Sequence, residues 1–209
     1  MISLTSPPVL VKTIFRDIIW ENTIDELVLT FDDGPHPRAT KKVLDVLTKN
    51  NLKAIFFLIG ENAVQNLDLV KSIVDQGSYI ANHSHSHFKN LFLTGIENIR
   101  EQIFECQNVI ENFPNNLKLF RPPFGRLKGK MKKISADIGL KTMMWTKLTE
   151  DWYGEQARIR NNVMEIKQRN SIILFHDNEY TSEIIGPALQ DSISILNDKG
   201  FSFARTFNF

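Results

Sequence analysis

The feature that most constrains this chain is an alternation. Short, continuously apolar runs end in polar turns, and each is followed by a stretch with helical spacing. The runs at 27–31, 54–59, 79–81, 117–120, 141–145, 171–175 and 201–203 read as strands. The stretches at 40–50, 62–76, 94–113, 128–138, 156–169 and 182–199 carry apolar residues three or four apart and read as helices. Gly77, Gly139 and Gly200 stand where three of these helices must stop. Continuously apolar strands separated by helices belong in a covered parallel sheet. About seven such units predict an α/β fold, a distorted and incomplete (β/α) barrel of about seven parallel strands. It forms a single domain over residues 1–209, with 1–25 as an N-terminal extension. In that extension Ile14, Phe15, Ile18, Ile19 and Trp20 predict a short amphipathic helix plugging the bottom of the barrel.

Charge and apolar content exclude several classes. A net charge of +1 gives no field to draw nucleic acid or an anionic membrane surface. No apolar run approaches the roughly 18–20 residues of a transmembrane helix. Met1 to Leu10 lacks a basic segment followed by an apolar one, so no export signal is read. The cytoplasm is the default compartment, and the cell envelope follows if a leader was trimmed. The sequence carries no signal for oligomeric state. The single Cys106 has no partner for an internal disulfide and falls in the series Ile99, Ile103, Cys106, Ile110, which places it in the core of a helix.

The residues with chemistry fall just after strands. Thr30-Phe31-Asp32-Asp33-Gly34-Pro35 sets two carboxylates at a strand end, and Asn82-His83-Ser84-His85-Ser86-His87 sets three imidazoles after another. One carboxylate and two histidines can hold a divalent metal while the second carboxylate stays free, the minimum set for metal-assisted hydrolysis. His83 and His87 are four apart and would share a face on a helical turn, with His85 pointing away. Read alone, Asp32-Asp33 is more readily a turn pair before Gly-Pro. In Arg121-Pro122-Pro123-Phe124-Gly125 the first free amides after the arginine belong to Phe124 and Gly125, and a rigid loop of this kind can serve as an oxyanion hole. Arg121 suits a carboxylate partner. His176 closes the apolar run Ile172 to Phe175, and a lone strand-end histidine is more often structural than catalytic. In a parallel barrel these strand ends gather at one face, where Asp32, Asp33, His83, His87, Arg121, Asp151 and His176 can meet.

Taken in order, the TFDDGP run, the His83, Ser84 and His87 run, the RPPFG run and the strand-end Leu174-Phe175-His176 resemble the polysaccharide deacetylase family, the NodB-homology or carbohydrate esterase family 4 domain. The resemblance spans nearly the whole chain. It implies a metal-dependent hydrolase that removes N-linked acetyl groups from N-acetylglucosamine polymers, chitin oligomers or peptidoglycan. O-acetyl xylan or another O-acetylated glycan is the alternative substrate. It further implies that Asp33, His83 and His87 bind Zn2+, with Co2+ or another divalent ion as substitutes. Asp32, held by Arg121, is then the general base on the attacking water. The metal and a backbone amide near Phe124 and Gly125 stabilise the oxyanion, and His176 protonates the leaving amine. Asp151-Trp152 matches the family's Asp-Trp pair, with Trp152 and the 145–148 region lining the substrate groove. The family pattern is expected to carry a histidine-tuning Asp three residues upstream of that pair, where this chain has Leu148, so His176 should be less well poised unless Asp151 or Asp177 substitutes. Two rival readings remain: a non-catalytic glycan-binding domain with a vestigial site, and a non-haem iron oxygenase using two histidines and a carboxylate.

Overall fold

The computed structural model describes residues 5–126 and 129–209. Its strands are β1 (Val28–Asp32), β2 (Ile55–Leu58), β3 (Tyr79–Asn82), β4 (Asn116–Phe120), β5 (Lys141–Thr142), β6 (Lys147–Leu148) and β7 (Ile172–His176). They form one sheet in the order β5-β4-β3-β2-β1-β7-β6, and each neighbouring pair is parallel. The helices are α1 (Val9–Ile14), α2 (Ala39–Lys49), α3 (Gly60–Gln65), α4 (Leu67–Asp75), α5 (Ile96–Ile110), α6 (Gly129–Asp137), α7 (Gln156–Met164) and α8 (Ile185–Asp198). No helix among the described residues is long and apolar enough to cross a membrane.

The sheet curls into a half-barrel. Its two edge strands, β5 and β6, are separated in sequence only by residues 143–146. At about 3.3 Å per residue that link spans at most about 16 Å, so the edges must face each other. The N-terminal extension lies along this seam. Ile19 N–H donates to the Thr142 carbonyl at 3.0 Å, Met144 N–H to Ile19 at 2.8 Å and Leu148 N–H to Thr5 at 2.8 Å. Thr146 Oγ1 donates to the Trp20 carbonyl at 2.8 Å.

The pleat divides each strand between two cores. Leu29 and Phe31 of β1 point outward, with Phe56 and Phe175, against the helices α2, α7 and α8. Phe31 stacks between Phe56 and Phe175 at ring-centroid distances of 5.1 and 5.7 Å. Val28 points inward and packs with Ile55, Phe57, Ala81, Met143, Ile172 and Phe207, filling the barrel floor. The next inward positions of β1 are Thr30 and Asp32, so one period-two series runs from hydrocarbon to hydroxyl to carboxylate towards the mouth.

Several expectations change. Within 141–145 only Lys141 and Thr142 pair with β4, because the chain then leaves that edge for β6. The run at 201–203 contributes a single bridge, Leu27 to Phe203, and no strand. The helix over 62–76 breaks at Asn66, whose φ of −136° separates α3 from α4. The helix expected over 128–138 is α6; Lys128 lies outside the described residues. The plug is not a helix over 14–20. α1 ends at Ile14 with no fully buried residue, only Val11 resting on the cluster that Ile18 and Trp20 beyond it form with Met144. Cys106 is buried in α5, as expected. Burial pushes its thiol up to about 12, against weaker opposing hydrogen bonds, so it is no nucleophile.

Trp20 is the anchor of the seam, with its indole N–H donating to the Phe15 carbonyl at 2.9 Å. Trp20→Ala is expected to cost about 3–5 kcal/mol in urea denaturation, the range for a deleted core aromatic. A loss near zero would mean the extension does not hold the barrel shut.

Candidate active site

The inward series of β1 ends at Asp32, which is buried with Arg121 from the end of β4. Arg121 Nη1 donates to Asp32 Oδ1 at 2.7 Å and to Thr30 Oγ1 at 2.9 Å. Nη2 donates to the Met144 carbonyl at 2.9 Å and Nε to that of Met143 at 3.3 Å. The guanidinium lies 3.9 Å from the centroid of the Phe57 ring. Burial pulls the Arg121 pKa below its ordinary value, and Asp32 opposes that pull.

Asp33 would point away from the mouth if it continued the strand. Instead it has a φ of 76°, in the left-handed region, which turns its carboxylate back. Two asparagines hold it there: Asn62 Nδ2 donates to its carbonyl and Asn178 Nδ2 to its Oδ2, each at 2.8 Å. Oδ1 lies 3.2 Å from His87 Nε2 and 3.5 Å from His83 Nε2. Burial would raise the Asp33 pKa. The hydrogen bond with His83 and the charges of His176, His83 and His87 outweigh it and hold the carboxyl well below its usual range.

The two histidines come from the loop after β3, which is not helical. Ser84 and His87 have φ of 70° and 50°. The loop is held by the first amides of α3, with Gly60 and Glu61 donating to the carbonyls of Ser84 and His85 at 3.0 and 2.9 Å. His83 Nδ1 sits 2.8 Å from the Arg121 carbonyl. A carbonyl can only accept, so Nδ1 carries the proton and Nε2 is left as a donor of its lone pair. Burial first, and then His83, bring the His87 pKa down to about 4, so its ring is neutral near pH 7.

One ligand atom each from Asp33, His83 and His87 fall within 4.8 Å of one another, and among the described residues no other group of three does so. A carboxylate oxygen and two imidazole nitrogens are a donor set that fits a divalent ion. His85 is outside this group. Its ring packs on Gly60, where an added Cβ would come within 2.3 Å of its Nδ1.

On the far side of Asp32 and Asp33, β7 delivers His176. Of the two carboxylates left open as substitutes for the one missing at Leu148, one is in place. Leu148 is buried in β6 opposite Leu174, and the partner is Asp151. Glu150, with a φ of 61°, turns the chain into a single 3-10 turn, Asp151–Tyr153, that folds Asp151 back on β7. Asp151 Oδ1 accepts from His176 Nδ1 at 2.7 Å and Oδ2 from its backbone N–H at 2.6 Å. Burial alone would lower the His176 pKa; the charge and hydrogen bond of Asp151, with Asp33 and Asp32 behind, raise it to about 10. Trp152 meets the His176 ring edge-on, with centroids 5.4 Å apart. Asp177 does not substitute. It is fully buried, with Oδ2 accepting from Thr40 Oγ1. Burial pushes its pKa well above the ordinary carboxylate value, against the hydrogen bond from Thr40. Gly34 is needed beside it, because a Cβ there would fall 2.3 Å from Asp177 Oδ2.

In the loop after β4, Gly125 N–H donates to the Pro122 carbonyl at 3.1 Å and is therefore committed. The amide left for an oxyanion is that of Phe124, which has a φ of 57° and stacks its ring on His87 at 4.5 Å. Asn62, Asn178 and Thr30 are site residues that the motifs did not single out. Thr30 was readable from its period-two relation to Asp32, and Asn178 from the Thr181 three residues on, the spacing at which a cap side chain bonds a backbone N–H.

The fold and this pocket define a class: parallel half-barrels with an Asp-His-His group that could hold a metal ion, a buried carboxylate and a carboxylate-paired histidine gathered at the strand ends. The polysaccharide deacetylase profile matches residues 21–143, more than half of the chain, and the chain belongs to that family. A peptidoglycan-N-acetylglucosamine deacetylase of Bacillus cereus is 36% identical over 174 residues, covering 82% of this chain and 61% of that protein. The chain thus spans about three fifths of that relative's length. A chitooligosaccharide deacetylase of Sinorhizobium fredii is 33% identical over 187 residues, covering 83% of this chain and 86% of that one. Among solved structures, the Bc1960 peptidoglycan N-acetylglucosamine deacetylase with a bound N-oxidanyl-benzamide superposes with a TM-score of 0.85 at 31% identity, covering 95% of this chain and 94% of that one.

The His176–Asp151 pair can be tested without substrate. With no metal added, the His176 imidazole should titrate near 10 by NMR, and Asp151→Asn should bring it towards or below the ordinary 6.5. An unchanged titration in Asp151→Asn would show that Asp151 does not set it.

Proposed function

We propose that this chain is a metal-dependent carbohydrate deacetylase that hydrolyses N-linked acetyl groups on N-acetylglucosamine-containing glycans, chitin oligomers or peptidoglycan, with zinc as its ion. The observation that carries the reading is the placing of a buried carboxylate, Asp32, between the ligand triad on one side and a carboxylate-paired histidine on the other. Asp33, His83 and His87 would hold the zinc. When bound, zinc would polarise the acetyl carbonyl and acidify water, its general contribution in hydrolases.

The chain's own groups supply the rest. Arg121 occupies Asp32 Oδ1, which leaves Oδ2 as the atom to take a proton from the attacking water. The Phe124 amide is the donor offered to the developing oxyanion. Asp151 keeps a proton on His176 Nδ1, so Nε2 is the atom that hands a proton to the leaving nitrogen. That feature favours an amide over an ester substrate. An amine does not leave as an anion, whereas an alkoxide depends less on an acid. Trp152 beside His176 supplies an apolar wall for the sugar. Retention of both the base and the paired acid favours catalysis over a vestigial binding site.

The test is acetate release from N- and O-acetylated glycans, with and without zinc. Asp32→Asn should keep one bound ion per chain and lose ~10²–10⁴-fold in kcat, the range for a missing general base. Substantial turnover in metal-loaded Asp32→Asn would remove Asp32 from that role. His83→Ala and His87→Ala should each lose the ion while His85→Ala keeps it, measured as metal per chain after dialysis. Loss of the ion in His85→Ala with retention in His87→Ala would reverse the ligand assignment.

A further inference from the structure

Asp33 carries two oxygens, and only one faces the histidines. Oδ1 is the atom near His83 and His87, whereas Oδ2 is taken up by Asn178 Nδ2. The Asn178 amide is itself held. Its Oδ1 accepts the Thr181 N–H at 3.2 Å, and its own N–H donates to Thr181 Oγ1 at 3.3 Å. That hydroxyl in turn donates to the His176 carbonyl at 2.7 Å, and Thr181 is fully buried. Flipping the amide would set Asn178 Oδ1 against the Asp33 carboxylate and Nδ2 against the Thr181 N–H, losing both bonds at once. The donor is therefore directed at Asp33 by the turn that also carries His176.

A carboxylate with both oxygens free can bind a cation through two of them, as calcium sites do. In a hydrolytic site that second oxygen would fill a coordination position that must stay open. We propose that Asn178 is a positioning residue that restricts Asp33 to coordination through Oδ1 and so preserves that open position. The inference rests on the reading that Asp33, His83 and His87 hold a divalent ion. It concerns how Asp33 does so.

The experiment uses the full chain, with Asn178→Ala and Asn178→Ser. The serine can still accept the Thr181 N–H, as serine does at the head of such turns, but is too short to reach Asp33. Metal-free thermal unfolding checks that both fold. Zinc affinity is measured by competition with a chelator, and Co2+ substitution reports coordination through its visible d–d absorption, which weakens as coordination number rises. Both variants are expected to bind zinc ~10–100-fold more weakly, the range for losing a group that orients a metal ligand. Their Co2+ absorption should also be weaker than that of the parent. Superimposable Co2+ spectra in parent and both variants would overturn the proposal whatever the affinity does. If the parent takes up no stoichiometric ion, or Asp33→Ala binds as tightly as the parent, the metal reading itself fails and the proposal falls with it. Those two results are recognisable because neither involves Asn178.

Discussion

The site depends on one buried ion pair. Arg121 and Asp32 are withdrawn from water, and their attraction does not by itself repay the desolvation of two charges. It is viable because the guanidinium spends its donors on four oxygens and rests on the Phe57 ring. Those contacts join β1, β2, the end of β4 and the crossover at 143–144. The crossover is in turn tied to the N-terminal extension through Ile19. The Asp32 carboxylate is thus oriented by the closing of the barrel, and the Arg121 carbonyl extends the same unit to His83.

Around this pair, like residues are driven in opposite directions. His87 is kept neutral by burial beside His83, while His176 is kept charged by Asp151. Asp33 is held below the usual carboxylate range by its histidines, while Asp177, facing Thr40, is pushed above it by burial. A metal ligand must be unprotonated and an acid must carry a proton. The environments of the two histidines meet those opposed demands in one small pocket. The sorting follows from which element each side chain leaves and what it meets there, and composition alone could not supply it.

The strands of the barrel wall were legible because buried parallel strands are continuously apolar, and the four motifs were legible because each sits at such a strand's end. The seam was not legible. Two-residue strands such as β5 and β6 are too short for any periodicity, and their edges are satisfied by backbone bonds from Thr5 and Ile19 that no side-chain pattern announces. The spacing of His83 and His87 anticipated that the two rings would meet, but for the wrong reason, since left-handed residues rather than a helical turn bring them together. Leu148 misled because linear distance along the motif was taken for proximity. The 3-10 turn at Asp151 places the carboxylate next to Trp152 against His176 instead.

The claim at the centre is that Arg121 and Asp32 act as one buried unit, and a double-mutant cycle in urea tests it. Arg121→Met strands a buried carboxylate and should cost about 3–5 kcal/mol. Adding Asp32→Asn removes that charge, so the double variant should be more stable than Arg121→Met alone, and its loss should fall short of the sum of the two single losses by the coupling energy. If the two losses simply add, Asp32 is not held by Arg121, and the account of how the barrel orients its base is wrong.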